Sequence, residues 1–61
     1  MTVRTLTYKA DSHTFVVKWM PGMGQVGQVW VSVCQWHDLG LLDDCDAIEL
    51  MDLVERMDQQ L

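Results

Sequence analysis

The stretch that decides the fold is QVWVSVCQW, residues 28–36. Valine recurs at every second position in it. An extended chain would place Val29, Val31 and Val33 on one face and Trp30, Ser32, Cys34 and Trp36 on the other. β-Branched and aromatic side chains suit a pleated surface, so the segment is expected to be a strand. Two more strand-like runs precede it. TVRTLTYK (residues 2–9) is rich in Thr, Val and Tyr, and TFVVKWM (residues 14–20) sets Phe15, Val17 and Trp19 on one face. Between them ADSH (residues 10–13) is a turn signal, because Asp and Ser bond back to their own backbone. PGMGQVG (residues 21–27) holds the only proline and three of the four glycines, which predicts a flexible loop or wide hairpin turn before residue 28.

Downstream, HDLGLLD (residues 37–43) is a linker broken at Gly40. From Asp43 or Asp44 the hydrophobic period changes from 2 to 3.6. Ala47, Leu50, Met51, Leu53, Val54, Met57 and Leu61 fall on one apolar stripe, and Ile48 lies off it. A helix is predicted to residue 59 or 60, with Asp44 capping its first turn and the neighbouring acids favoured by the positive end of its dipole. The expected architecture is α+β. A three-stranded antiparallel β-sheet is followed by one C-terminal amphipathic acidic helix packed across one face, in the order β-β-β-α. Residues 1–61 are read as a single small domain.

Size and charge narrow the possible functions. A chain of 61 residues buries only about 60% of the surface its unfolded form exposes, leaving little room for a substrate cleft. No apolar run is long enough to span a bilayer, the N-terminus has no signal-peptide core, and Cys34 and Cys45 are too few for a disulfide scaffold; a cytoplasmic protein with reduced thiols is expected. The net charge of −5 is unevenly spread. Residues 1–37 carry +2, whereas residues 38–61 carry eight acids against Arg56, or −7. Direct binding to nucleic-acid phosphates is disfavoured and a basic partner is favoured.

The acids are also regularly spaced. Asp43, Asp46, Glu49, Asp52, Glu55 and Asp58 stand at every third residue. On a helix a step of three turns by about −60° and rises by about 4.5 Å, so these carboxylates wind round the helix as a ribbon. Glu49, Asp52 and Glu55 would cover the solvent side, with Asp46 and Asp58 flanking the apolar stripe. Each DNA strand spaces its phosphates by about 3.4 Å along the axis, so the ribbon has a pitch close to that of one phosphate strand. The plainer alternative is the solvated face of an acidic helix. Against it, the helix carries only Arg56 as a compensating cation, and close acids repel in a domain with little stability to spare.

Other constellations are weaker. Cys34, His37 and Cys45 are spaced C-x2-H-x7-C, with His13 as a possible fourth zinc ligand, but the ligand pairs lack the usual repeat and idle thiols are the preferred reading. A Cys34–His37 nucleophile has nothing to orient its histidine. No phosphate-binding or dinucleotide motif is present. No catalysis, metal or cofactor is therefore expected. Trp30 and Trp36, on the uncovered sheet face with Val16 and Cys34, would form an exposed apolar patch suited to a partner or to homodimerisation.

In size, charge and architecture, and above all in the run DDCDAIELMDLVERMD (residues 43–58), the chain resembles the small anti-CRISPR inhibitors encoded by phages. That resemblance implies a viral protein acting in the host bacterial cytoplasm. It would occlude the DNA-binding groove of a Cas effector complex, with Asp43, Asp46, Glu49, Asp52, Glu55 and Asp58 standing in for phosphates and no turnover. The alternative expectation is a homodimeric or heteromeric interaction module, antitoxin-like or an assembly factor, that binds through the tryptophan-bearing sheet face.

Overall fold

A computed structural model describes residues 2–60. The chain is α+β, as expected, but its elements are two strands followed by two helices: β1 (Arg4–Lys9), β2 (Thr14–Trp19), α1 (Val26–Asp38) and α2 (Asp44–Gln59). β1 and β2 form an antiparallel hairpin whose register pairs Arg4 with Trp19, Leu6 with Val17 and Tyr8 with Phe15. Because side chains alternate along a strand, these pairs share one face, and Thr5, Thr7, Lys9, Thr14, Val16 and Lys18 share the other. The first face is buried beneath the helices; Phe15, Val17 and Trp19 lie in the core, as expected from the sequence.

The expected third strand is a helix. Residues 28–36 lie inside α1, so the β-β-β-α reading is corrected to β-β-α-α. The alternation of Val29, Val31 and Val33 masked a second pattern. Val26, Val29, Val33 and Trp36 are spaced i, i+3, i+7, i+10, which is one face of a helix. The two periods disagree at Val31. A strand would bury it with Val29 and Val33, whereas here Val31 is 58% exposed and the other two are 5% and 1% exposed. Tertiary demand favours the helix. A third strand would widen a surface that already needs covering, and a two-stranded hairpin is at best marginal in water without a layer packed on it. α1 supplies that cover along β2, and α2 supplies it along β1.

Local signals then fix the ends of α1. Gln25 precedes it and offers no side-chain cap; its Oε1 instead accepts from the Met20 N–H at 3.0 Å, which ties the loop back to β2. The helix stops in a Schellman arrangement. Leu41 N–H donates to Trp36 O at 2.9 Å and Gly40 N–H to His37 O at 3.0 Å, with Gly40 at φ 79°. Glycine enters that left-handed region without a Cβ penalty.

α2 agrees with the sequence reading in its bounds and its stripe: Leu50, Met51 and Val54 are buried, and Ala47, Leu53 and Met57 pack against the core. Leu61, expected on the same stripe, lies outside the described residues. The cap differs by one residue. Asp43, not Asp44, is the N-cap, and its carboxylate accepts from the Asp46 N–H at 2.8 Å.

Cross-element contacts give the layer arrangement. Phe15, near the hairpin turn, packs against Trp36 near the end of α1, with ring centroids 4.8 Å apart and the planes tilted by 41°. Tyr8 Oη, also near the turn, donates to Asp46 at the start of α2 (3.0 Å), whereas Arg4 at the open end reaches the Gln60 carbonyl (2.7 Å). Each helix therefore runs antiparallel to the strand it covers, and the two helices run antiparallel to each other. A helical hairpin lies under a β-hairpin around a core of Tyr8, Phe15, Trp19, Val33, Leu50 and Val54.

Candidate protein-binding face

The fold divides the acidic ribbon into two sets. Asp43, Asp46 and Asp58 are structural. Asp43 caps α2, Asp46 accepts from Tyr8, and Asp58 Oδ1 accepts from both Trp19 Nε1 and the Gly22 N–H, each at 3.1 Å. Trp19 is 2% exposed, so its indole N–H needs a partner at the core's edge, and Asp58 meets that need. The position of Asp46 and Asp58 beside the apolar stripe, expected from helical geometry, is what lets them reach back to the hairpin.

Glu49, Asp52 and Glu55 form the other set and are exposed. Their one cationic neighbour on α2 is Arg56, with Nη2 3.9 Å from Asp52 Oδ2 and both side chains well solvated. Such an i,i+4 surface pair contributes only about 0.3–0.5 kcal/mol and leaves the negative field largely intact. The lysines do not offset it. Lys9 and Lys18 stand on the outer face of the hairpin, in the opposite layer. The fold thus sorts both lysines to the sheet side, while Arg4 reaches the C-terminal end of α2 at the Gln60 carbonyl and Glu49, Asp52 and Glu55 stay exposed on the helix side.

The exposed face of α2 is more column than ribbon. With Asp46 at 0°, helical geometry puts Asp44, Glu55, Ile48 and Asp52 at about 160°, 180°, 200° and 240°, with an axial span of about 16 Å from Asp44 to Glu55. Ile48, off the apolar stripe in the sequence, stands amid the acids and is 66% exposed. Across from it on α1 is Trp30, 44% exposed. A groove of about 310 Å³ separates the helices there, lined by Trp30, Val33, Cys34, Ala47 and Ile48, with His37, Asp38 and Asp44 at its polar end. His37 Nε2 pairs with Asp44 Oδ1 and links the two helices; since a carboxylate only accepts, Nε2 carries the proton. A second, more polar groove of about 220 Å³ runs between β2 and α1, past Lys18, Gln25, Gln28 and Ser32.

The expected tryptophan patch on a sheet face does not form. Both residues are on α1 and point differently: Trp30 opens to the groove beside α2, and Trp36 turns onto Phe15 and packs, half-buried, against the core. Val16 alone of that set is on the outer sheet face. A 100° helical step in place of a 180° strand step separates residues that a strand would have aligned. Ile48 and Asp44 were missed as surface partners of the acids, although their i,i+4 relation to each other and to Asp52 was visible in the sequence.

Tyr8 records the negative field near the start of α2. Burial, then the hydrogen bond to Asp46, the charges of Asp46 and Glu49 and, least, hydrogen bonding toward Glu49 push its phenol up to about 12, so Glu49, though exposed, also borders the hairpin. Cys34 and Cys45 are both free and exposed. Among the described residues no group of three or more His, Cys, Asp or Glu is arranged to hold a metal ion, and no helix is long and apolar enough to cross a membrane. No protein-family model, no curated protein and no solved structure matches the chain.

Proposed function

We propose that the protein is a non-catalytic inhibitor that binds a basic DNA-binding protein, of the kind found in CRISPR effector complexes, and occludes its DNA site with the exposed face of α2. The observation that carries this reading is the segregation of charge. Three acids are used up inside the fold, yet Glu49, Asp52 and Glu55 stay in water with Arg56 as their only cationic neighbour on the helix, and the lysines are on the far layer. Packing does not need that arrangement. A helix of this kind gains by interspersing lysines, which this one lacks. A one-sided field steers and orients an acidic protein onto a Lys/Arg groove and speeds the encounter, in a salt-dependent way.

The test is capture on the immobilised protein from bacterial lysate, followed by elution with duplex DNA. DNA-binding proteins, a Cas complex foremost, should be retained at low salt and released both by the duplex and by high salt. The E49Q/D52N/E55Q variant should lose about tenfold or more in affinity for the captured protein while keeping its fold. Retention that ignores salt, the duplex and the triple substitution refutes the proposal.

A further inference from the structure

Building on α2 as the contact face, we infer that the Trp30–Ile48 groove is an anchor socket for one large apolar side chain on a Lys/Arg-rich segment of the partner. Ile48 stands in the solvent column of α2 with Asp44 before it and Asp52 after it, and is 66% exposed. Trp30 forms the opposing wall at 44% exposure. Folding leaves both in water although α1 and α2 pack closely just beneath them, where Val33 is 1% exposed. At about 310 Å³ the groove takes a side chain or two and is at the small end for a separate ligand.

Its rim decides between occupants. Asp38 and Asp44 stand at one end with His37, whose Nε2 pairs with Asp44, and beyond the groove Asp52 follows Ile48 one turn along the same face of α2. A second copy would bring acids against acids in a protein of net charge −5. A basic segment meets complementary charge at the rim and apolar surface at the centre, which is the layout of an interface hot spot, with tryptophan the favoured residue there. The carboxylates then supply rate and orientation, and the socket supplies the part of the affinity that salt does not remove.

Two short Lys-rich peptides test this, one with a single central leucine and one with alanine in its place. Binding is followed by the NMR signals of the Trp30 indole N–H and the Ile48 methyls. The leucine peptide should bind about tenfold tighter than the alanine peptide and move both signals. Ile48→Ser, at a site 66% exposed, should erase that difference, so that both peptides bind with the same weaker, salt-sensitive affinity. E49Q/D52N/E55Q should weaken both peptides alike. Equal, salt-sensitive binding of the two peptides overturns the socket and leaves the acidic face standing. Binding that ignores salt and the triple substitution overturns the acidic face itself, and no binding of either peptide at low salt overturns both. A dimer in sedimentation that Ile48→Ser dissolves also overturns the socket, because a second copy would then be its occupant.

Discussion

Replacing Asp58 with alanine should destabilise the protein far more than removing three other acids from the same helix. Asp58 Oδ1 accepts from Trp19 Nε1 and from the Gly22 N–H, both at 3.1 Å, and so fastens the last turn of α2 to the open end of the hairpin. Hydrogen bonds to a charged acceptor contribute about 1.5–3 kcal/mol each, and losing the acceptor leaves the donors to find water. Two donors sharing one partly solvated oxygen give a combined loss of about 2–3 kcal/mol. A domain of this length has about 3–9 kcal/mol in total, so about a fifth or more is at stake. At about 4–8 °C per kcal/mol, Tm should fall by about 10–20 °C. Thermal and urea melts followed by circular dichroism measure this directly. Asp58→Asn keeps an Oδ1 acceptor and should recover at least half the loss, whereas E49Q/D52N/E55Q should stay within about 0.5 kcal/mol of the parent, as surface substitutions do. A loss below about 0.5 kcal/mol for Asp58→Ala would refute the division of the acids into structural and free sets. An Asn variant as damaged as the Ala variant would keep Asp58 in the structural set but refute acceptor geometry as the cause, since charge would then be what matters.

Tyr8 is the only tyrosine, so ultraviolet titration of phenolate reads it alone, and its midpoint should lie near the pushed-up value of about 12. Asp46→Asn should lower the midpoint only in part, because burial is the larger cause. The fold favours the neutral phenol, so the stability it confers is intact below pH about 10 and is lost as pH climbs from about 10 to about 12, which urea melts across that range should show. Gly27 lies in the first turn of α1, and a Cβ there would meet nothing within 4 Å, so Gly27→Ala should stabilise by about 0.5–1 kcal/mol, a gain that chemical denaturation would detect. Asp43→Ala removes the cap of α2 and should cost about 1 kcal/mol with binding to a basic peptide largely preserved; a larger effect on binding than on stability would make Asp43 a contact residue.

The sequence by itself determined the hairpin and α2. β1 and β2 announce themselves by composition, and their alternation names the buried face, Phe15, Val17 and Trp19, because the side-chain period of a strand is fixed at two. α2 is legible because its apolar stripe, Ala47 to Met57, runs for about three turns, too long for a strand period to imitate, and because the acids beside its start mark its beginning. The same geometry already separated Glu49, Asp52 and Glu55 on the solvent side from Asp46 and Asp58 at the flank. Only the tertiary structure decided residues 28–36. Over nine residues Val29 and Val33 satisfy both periods and Val31 alone separates them, and the choice fell to what the hairpin's inner face required, a covering helix rather than another strand to cover. That choice carried Trp36 against the core and Trp30 to the groove. It also decided which carboxylates are spoken for, because the partners of Asp46 and Asp58 are 38 and 39 residues away in the chain, and no local pattern records a contact that only packing creates.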